Sequence, residues 1–453
     1  MPLHTHTPKY HHQRLERHFK RKMNVLIIST EGTQGLDFAL RAKSYGHAVR
    51  FFIRHNPDGS RSETGVGLIE RIPHWEASMQ WADLILCTDN NFYVDMLDNY
   101  RVKGYPIFGA SKSAALWEQD RSVGEDAFHK AGIKTIPSKT FTNYDEAIRY
   151  VSEANKRFVC KPIGDGDKAL SYVAQSSKDM LFMLNRWKKE HAHKGAFILQ
   201  EFRKGIEMAV GGWLGADGFS KFWCENWEFK KQYNDDLGVA TGEQGTVLRY
   251  TEESKLAEKV LAPLEEILQG TGTIGCYIDV NCIITPDGEA NPLEFTQRCG
   301  WPLFQIQQRL HKGDPCEWMV DSLDGIDSLK VSKEIAIGVV ISMPPYPVPY
   351  LSKKECSGYP LFNLTMDDAL DCVHLSEVQK GAEEEFDTAG DYVCTVSGTG
   401  KTVSDAKCDA YKNIKSKIEI PNSIGYRTDI GCRLEEQLPQ LHALGYCKDL
   451  IYG

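Results

Sequence analysis

The sequence predicts a multidomain protein of mixed α/β and α+β class, which begins with a doubly wound parallel sheet and ends in a small β-rich domain. The chain has 453 residues, enough for about three domains. From Met23 onward, short apolar runs alternate with helical stretches, a pattern typical of parallel strands joined by crossover helices. After about Asp324 the pattern changes to short strands and one helix. These observations favour domains at residues 23–115, 116–325 and 326–453.

Residues 1–22 differ in composition from the rest of the chain. They are rich in histidine, lysine and arginine and show almost no apolar periodicity. Such a segment could hold a metal or serve as a nucleic-acid arm. Because Met23 opens a regular strand, however, the pattern favours a disordered leader. We therefore expect that deletion of residues 1–22 leaves activity unchanged.

The first domain contains the pattern of an open parallel sheet. Its predicted strands are Val25–Ile28, Ala48–Ile53, Asp83–Cys87 and Tyr105–Gly109. The turn after the first strand contains glycine, but the full G-x-G-x-x-G pattern of dinucleotide-binding folds is missing, and no acidic residue ends the second strand. A plain doubly wound domain is therefore the better interpretation, and an oxidoreductase is disfavoured.

The remaining elements are predicted in the same way. A helix is predicted over Ser111–Ile133, followed by a small subdomain at about residues 135–208 in which strands and helices alternate. A hairpin then joins Gly275–Ile284 to Pro292–Thr296 across a Pro-Asp-Gly turn. The predicted elements of the C-terminal domain are strands at Val331–Met343, Val373–Glu377 and Asp391–Ser397 and a helix over Ser404–Lys417.

Composition excludes several classes of function. The net charge is -9 and no long basic run lies in the body of the chain, which disfavours nucleic-acid binding. No stretch approaches the ~20 apolar residues that span a bilayer, and no apolar signal-peptide core is present. The 13 cysteines are odd in number and scattered, often within apolar runs, which favours free buried thiols in a reducing cytoplasm.

Two motifs contain residues that are suited to bind a polyphosphate and a metal ion. In the first, the apolar run Arg157–Cys160 ends in Lys161 and opens into a glycine-containing turn with a second lysine, Lys168. A strand that ends in this way offers a cation and exposed backbone amides to a polyphosphate. The alternative interpretation of the turn is an ordinary surface hairpin.

The second motif lies on the strand that follows the Pro-Asp-Gly turn. It places a carboxylate, Glu294, and a guanidinium, Arg298, on one short strand. A carboxylate there can hold Mg²⁺, and an arginine can clamp an anion. Together the two motifs indicate an enzyme that consumes a nucleoside triphosphate.

The order of motifs resembles that of the ATP-grasp enzymes and, more narrowly, of the phosphoribosylamine–glycine ligases of purine synthesis. The segments that carry the narrower resemblance are Gly109–Ala115, Asp120–Ile133, Gly398–Tyr411 and Gly425–Gly431. It covers nearly all of the chain from Met23 onward. The resemblance implies an ATP-grasp fold whose small subdomain moves as a lid, and an ATP- and Mg²⁺- (or Mn²⁺-) dependent ligase that joins an amino acid such as glycine to an amine such as phosphoribosylamine. A monomer or homodimer is expected.

The resemblance also assigns residues to the nucleotide. Lys161 would contact the phosphates, Arg121 stands where a nucleotide-contacting lysine is usual, and Glu201 and Glu207 would meet the adenine edge and the ribose hydroxyls. The loop over the phosphates would be formed by Gly164, Gly166 and Lys168. Alone, each glutamate is more simply interpreted as a solvated charge at a strand end.

The remaining assignments concern the metal and the carboxylate substrate. Glu294 is the first candidate metal ligand. Relatives carry an asparagine two residues later, where this chain has Thr296, a poorer ligand, and Asp279 on the preceding strand is a candidate to compensate. Asp279 is equally well interpreted as a strand residue that points to solvent. Arg298 would neutralise the carboxylate or acyl phosphate, and Lys230 lies in a segment that frames the amino acid.

Three segments depart from the family pattern. The first turn reads Gly32–Asp37 instead of paired glycines with Arg-Glu, Cys87–Asn91 replaces a Gly-Pro-Glu element, and Trp301–Leu303 replaces Asp-Pro-Glu. The first of these regions normally helps to hold phosphoribosylamine. A ligase that uses a different amine therefore remains an alternative, as does an inactive ATP-binding relative.

Overall fold

A computed structural model describes residues 21–56, 58–163, 171–190, 195–343, 346, 355–419 and 425–453. The predicted phosphate-loop residues Gly164, Gly166 and Lys168 lie outside these ranges, as does the predicted leader up to residue 20.

The N-terminal domain is a five-stranded parallel sheet of order β3-β2-β1-β4-β5. Its elements are β1 (Asn24–Ser29), α1 (Gly35–Ser44), β2 (Ala48–Ile53), β3 (Glu70–Arg71), β4 (Leu84–Cys87), α2 (Val94–Arg101) and β5 (Ile107–Phe108). The middle strands are buried on both faces, as a parallel sheet covered by helices requires. The strand order reverses beside β1, so the carboxyl ends of β1 and β4 border a crevice, which is where open α/β sheets bind ligands.

The single helix predicted over Ser111–Ile133 is two helices, α3 (Lys112–Gln119) and α4 (Arg121–Lys130). The prediction was wrong at Asp120, which is extended (φ -117°, ψ 107°) and whose carboxylate accepts a hydrogen bond from the amide of Ser122. An aspartate at this position caps a helix more favourably than it continues one. The break allows Arg121 to begin a new helix.

The small subdomain has a four-stranded antiparallel sheet of order β6-β9-β7-β8. Its elements are β6 (Ser138–Phe141), α5 (Tyr144–Ala154), β7 (Phe158–Pro162), β8 (Tyr172–Val173), α6 (Ser177–Glu190) and β9 (Phe197–Glu201). The side chains of Phe141, Phe158, Leu184 and Phe197 belong to a hydrophobic core that is separate from the main one. A separate core is what a subdomain that moves as one body needs.

The central sheet has eight strands in the order β16-β15-β10-β11-β14-β17-β22-β19, all antiparallel to their neighbours. The elements of its first part are β10 (Ile206–Gly215), β11 (Gly218–Glu228), β12 (Lys231–Tyr233), β13 (Leu237–Ala240), β14 (Gly245–Thr251), α7 (Lys255–Val260), α8 (Glu265–Gln269), β15 (Cys276–Ile284) and β16 (Ala290–Thr296). The predicted hairpin is therefore confirmed as β15 and β16.

The C-terminal segment continues the same sheet. Its elements are α9 (Leu303–Leu310), α10 (Pro315–Leu323), β17 (Ile335–Ser342), β18 (Ser357–Pro360), α11 (Met366–Asp371), β19 (Val373–Leu375), β20 (Val378–Lys380), β21 (Phe386–Ala389), β22 (Tyr392–Gly400), α12 (Val403–Lys417) and α13 (Leu434–Ala443). Strand β17 pairs with β14 on one side and β22 on the other, so every residue of β17 is buried. The chain after residue 325 thus adds three strands to the central sheet and builds a separate small sheet from β18, β21 and β20.

All thirteen cysteines are free, and most of them are buried, as predicted from their positions in apolar runs. Across the residues that the structure describes, none of the helices combines the length and apolar character needed to cross a bilayer.

Candidate active site

Lys230 lies at the centre of a group of carboxylates. It follows β11 by two residues, and its Nζ atom is 2.7 Å from Glu228, 3.3 Å from Glu207 and 3.4 Å from Glu294. The three carboxylates come from β11, β10 and β16, so the central sheet assembles them. Although burial disfavours the ammonium ion, these carboxylates raise the pKa of Lys230 well above its usual value.

Asn281 holds two of these carboxylates in place. Its side-chain amide donates to Glu228 over 2.7 Å and to Glu207 over 3.0 Å. It lies on β15 directly opposite Glu294 on β16. Sequence analysis did not assign this residue a role, because its contacts depend on the pairing of β10 with β15 and not on a local motif.

The three predicted metal ligands lie together on the β15–β16 hairpin. Asp279 is the cross-strand partner of Thr296, and Glu294 is two residues before Thr296, so their side chains share one face of the pair. The Glu294 side chain is 51% exposed, and it faces the cleft. The cations Lys230, Lys161 and Arg121 lower its pKa to about 2, so it is ionised at neutral pH.

Asp279 does not point to solvent. It is only 3% exposed, and its carboxylate accepts hydrogen bonds from the Asn226 amide (2.8 Å) and the Tyr277 hydroxyl (3.0 Å). Burial and the nearby Glu228 carboxylate raise its pKa to about 7. The solvent-facing alternative was therefore wrong, because Asn226 on the nearby strand β11 and Tyr277 on β15 hold the carboxylate in a buried position.

Two further cations, Lys161 and Arg121, lie near Glu294. Burial lowers the pKa of Lys161 on β7 to about 8, and the neighbouring charges of Arg121 and Lys230 act in the same direction. The Arg121 guanidinium donates to the carbonyl of Leu293 (2.7 Å) and to Gln200 (3.4 Å), and so links β16 to β9 of the small subdomain. Within the described residues, the Lys161 ammonium has no ion-pair partner, which leaves it able to bind an anion.

Glu201 lies apart from this cluster. Its carboxylate pairs with Lys156 (2.6 Å) and Arg203 (3.0 Å), and these two cations lower its pKa. The structure therefore brings together Lys161, Arg121, Glu207, Lys230 and Glu294, whereas the contact of Glu201 with a nucleotide stays a prediction.

Arg298 is positioned by a residue that sequence analysis missed. Its Nε atom donates to Glu118 over 2.9 Å, and the ion pair raises the pKa of the guanidinium further. The second oxygen of Glu118 accepts from the amide of Gln297 (2.7 Å) and the side chain of Asn90 (2.8 Å). Glu118 lies in helix α3, where no motif marks it; only the folded arrangement of α3, β4 and β16 reveals its role.

A cavity of about 770 Å³ adjoins the Lys230 cluster. Its wall includes Lys230, Glu294 and Arg298 on one side and the loops after β1 and β4 on the other. The crevice at the carboxyl ends of the parallel sheet thus opens directly onto the charged end of the β15–β16 hairpin. Carboxylates outnumber cations in this wall, where Lys230 and Arg298 are the only lysine or arginine among the described lining residues.

Comparison with known proteins finds similar ligases. No family model matches the chain. The phosphoribosylamine–glycine ligase of Fusobacterium nucleatum is 26% identical over 361 residues, which cover 77% of this chain and 83% of that protein. The ligase of the same name from Listeria innocua is 24% identical over 436 residues, covering 91% and 100%. The chain is thus similar to phosphoribosylamine–glycine ligases over most of its length, at about a quarter of identical residues.

Solved structures agree with the predicted fold. The crystal structure of the phosphoribosylamine–glycine ligase from Thermotoga maritima has a TM-score of 0.69 at 18% identity and covers 90% of this chain and 100% of that one. A biotin carboxylase from Campylobacter jejuni, solved as a β,γ-ATP complex, has a TM-score of 0.61 at 11% identity, with coverages of 94% and 97%. The predicted multidomain α/β and α+β architecture of the ATP-grasp type is confirmed. The relatives that the chain resembles are, by name, ligases that join phosphoribosylamine to glycine.

Proposed function

We propose that the protein is an ATP- and Mg²⁺-dependent carboxylate–amine ligase that works through an acyl phosphate. The observation that carries the proposal is the grouping of Lys161, Arg121, Lys230 and Glu294, whose charges act on one another, next to a cavity that Lys230, Glu294 and Arg298 line. Cations next to carboxylates are what a site for a metal-bound polyphosphate needs.

The chemistry follows from the nature of a carboxylate. Its leaving group would be oxide, so it is a poor acyl donor until the γ-phosphoryl group of ATP is transferred to one of its oxygens and ADP leaves. The amine then attacks the acyl carbon, the carbon–oxygen bond to phosphate breaks, and the amine loses a proton as the amide forms. In this scheme Lys161 and Arg121 hold the phosphates and Arg298 holds the carboxylate and then the acyl phosphate.

The residues of the hairpin suit a hard divalent cation. Glu294 is ionised, Asp279 adds a buried carboxylate, and Thr296 adds a hydroxyl, so all donors are oxygens, as Mg²⁺ or Mn²⁺ prefers. Glu294 would be the principal ligand, with Asp279 and Thr296 beside it. A bound cation would neutralise charge on the transferred phosphoryl group.

The amino acid and amine remain to be identified. The names of the relatives make glycine and phosphoribosylamine the first pair to test. Lys230 and the Gly242–Glu243 segment line the cavity next to Arg298, which supports a small amino acid at that end. A cytoplasmic monomer or homodimer is part of the proposal by family resemblance.

The proposal is tested by trapping the acyl phosphate. The purified full chain is incubated with ATP, Mg²⁺ and single amino acids, and hydroxylamine is added to convert an activated carboxylate into a hydroxamate. A hydroxamate that requires both ATP and one amino acid supports the ligase, and phosphate release with phosphoribosylamine generated in situ then tests the amine. Binding of ATP without a hydroxamate from any amino acid would identify an inactive relative and contradict the proposal.

A further inference from the structure

Asn281 shares one face of the β15–β16 hairpin with the predicted metal ligands. It is the cross-strand partner of Glu294, just as Asp279 is the partner of Thr296. Directly opposite side chains of an antiparallel pair lie on the same face, with their Cβ atoms about 4.5–5.5 Å apart. The pairing of the two strands therefore brings the Asn281 amide next to Glu294, the principal candidate for a metal ligand.

The amide of Asn281 can adopt only one orientation. Its nitrogen Nδ2 donates to Oε1 of Glu207 over 3.0 Å and to Oε2 of Glu228 over 2.7 Å. The same two oxygen atoms face the Lys230 ammonium. Since an ionised carboxylate only accepts hydrogen bonds, the NH₂ half of the amide must face these two glutamates. The carbonyl oxygen, Oδ1, is therefore directed away from them.

The carbonyl oxygen of this amide is buried and has no donor. Asn281 is only 5% exposed, and its Oδ1 atom has no hydrogen-bond partner among the residues that the structure describes. A buried acceptor that is left without a donor destabilises the fold unless a ligand binds to it. A divalent cation is such a ligand, because amide carbonyls are hard oxygen donors of the kind that these cations prefer.

The sequence of the same hairpin also points to a metal. The family pattern has an asparagine where this chain has Thr296, so the amide oxygen that relatives carry on this strand is missing from β16. Asn281 places an amide on the neighbouring strand, on the same face and opposite Glu294. The chain thus keeps one carboxylate and one amide side by side, although the amide comes from β15 instead of β16.

We propose that Asn281 is a ligand of the divalent cation, which its Oδ1 atom binds together with Glu294. The inference rests on the proposed function, because that function requires the cation. Glu207 and Glu228 position this ligand, since their hydrogen bonds to Nδ2 fix the direction of the carbonyl. The alternative is that Asn281 only braces these two glutamates and does not touch the metal.

Binding of Mn²⁺ provides a measurement that does not depend on turnover. The full chain is saturated with ADP and titrated with Mn²⁺ while electron paramagnetic resonance records the free ion, and ADP alone corrects for binding by the nucleotide. Asn281→Ala should weaken binding about tenfold or more. Asn291→Ala is the matched control, because this asparagine lies on β16 but its amide donates to the backbone carbonyls of Ile283 and Glu289. An unchanged affinity in folded Asn281→Ala would overturn the inference.

A cysteine at the same position separates a ligand from a brace. A thiolate favours the soft ion Cd²⁺, whereas an amide oxygen favours the hard ion Mg²⁺. The measured quantity is the Cd²⁺ concentration that displaces half of the bound Mn²⁺, divided by the corresponding Mg²⁺ concentration. Asn281→Cys should lower this ratio about tenfold or more, and Asn291→Cys should leave it unchanged. Loss of a brace would weaken the binding of both ions in parallel, so an unchanged ratio in Asn281→Cys would overturn the inference.

The natural protein offers a test that needs no substitution. With ¹³C at the Cγ atoms of its asparagines, electron–nuclear double resonance of the bound Mn²⁺ should show a ¹³C coupling, which requires an asparagine in contact with the ion. Asn281→Ala should remove the coupling and Asn291→Ala should retain it. A spectrum of the natural protein without this coupling would overturn the inference even if neither variant of Asn281 folded.

Failure of the inference can be told apart from failure of the proposed function. A hydroxamate from the natural protein, together with Mn²⁺ binding that does not depend on Asn281, would overturn the inference while the ligase proposal stands. Binding of Mn²⁺ that depends on Asn281, without a hydroxamate from any amino acid, would support the inference and contradict the ligase. No binding of Mn²⁺ by the natural protein would overturn the inference and, with it, the role of Glu294 as a metal ligand.

Discussion

The Nζ atom of Lys230 lies 3.4 Å from Oε1 of Glu294, on the strand that carries the predicted metal ligands. The same ammonium is within 3.3 Å of Glu207 and 2.7 Å of Glu228. One positive charge thus faces three negative charges, which leaves an excess that matches a divalent cation. Lys230 therefore holds the carboxylates together and at the same time sets the charge that the metal site presents.

The lysine on β7 gives the first prediction. Replacing Lys161 with alanine should reduce ATP turnover by about 10²- to 10³-fold, because a cation aimed at the phosphoryl group is lost. The fold should remain intact, since Lys161 has no ion pair with a described residue. The measurement is amino-acid-dependent phosphate release together with thermal unfolding. Lys139→Ala, which removes an exposed lysine of the same small sheet, is the control and should turn over normally. A near-normal rate for Lys161→Ala would show that the phosphates bind elsewhere.

The carboxylate on β16 gives the second prediction. Glu294→Gln keeps the shape of the side chain but removes the charge, so we expect turnover to fall by about 10²-fold or more and the Mg²⁺ concentration for half-maximal rate to rise. Titration of the rate with Mg²⁺ measures both effects. Glu289→Gln, at an exposed position just before the same strand, should leave the titration unchanged. A Glu294→Gln enzyme with an ordinary Mg²⁺ requirement would remove this residue from the metal site.

Thr296 allows a gain of function to be tested. An amide carbonyl is a better Mg²⁺ ligand than a hydroxyl, so Thr296→Asn should lower the half-maximal Mg²⁺ concentration by roughly 3- to 10-fold, and Thr296→Val should raise it. The two substitutions are expected to change the half-maximal Mg²⁺ concentration in opposite directions. A general effect on packing would change it in the same direction for both. If both variants moved the Mg²⁺ requirement in the same direction, Thr296 would not be a ligand.

The contact between Glu118 and Arg298 predicts that loss of this ion pair weakens the binding of the amino acid and not that of ATP. Glu118→Gln removes the charge that orients the guanidinium, and the lost charge-assisted hydrogen bond of about 1.5–3 kcal/mol should raise the KM for the amino acid roughly 10- to 100-fold. The KM for ATP should change little, because Glu118 contacts Arg298, Gln297 and Asn90 and not the Lys161 cluster. Steady-state kinetics with each substrate varied in turn provide the measurement. Asp126→Asn, at an exposed position on the next helix, should change neither constant.

Sequence reasoning succeeded where the determinants are local. The β15–β16 hairpin follows from two apolar runs around a Pro-Asp-Gly turn, and its register alone places Asp279 opposite Thr296. It could not anticipate Asn281 or Glu118, because their partners are brought to them by strand pairing and helix packing across long stretches of chain. The continuation of the central sheet into β17 was missed for the same reason: an apolar strand does not reveal which neighbour it pairs with.

The last prediction concerns stability and pH. The Tyr250 hydroxyl accepts a hydrogen bond from the indole of Trp213 (3.1 Å) and shares a second hydrogen bond with Nε2 of His311 (2.7 Å). Burial lowers the pKa of His311 to about 3 from 6.5, so the imidazole in this contact is neutral at neutral pH. Because the folded-state pKa is the lower one, the unfolded chain binds the proton more tightly, and the contribution to stability is full above pH 6.5 and is lost as the pH falls toward 3.

Between pH 7 and pH 5 this single group should cost about 2 kcal/mol of unfolding free energy. His311→Gln removes the titration while keeping a polar side chain, so its unfolding free energy should fall less over this interval than that of the natural protein, although its stability at pH 7 is expected to be lower. Urea unfolding at pH 5, 6 and 7 measures the difference. His129→Gln, at an exposed position, should show the pH dependence of the natural protein. If His311→Gln followed that dependence as well, the acid sensitivity of the fold would have to arise from other buried groups.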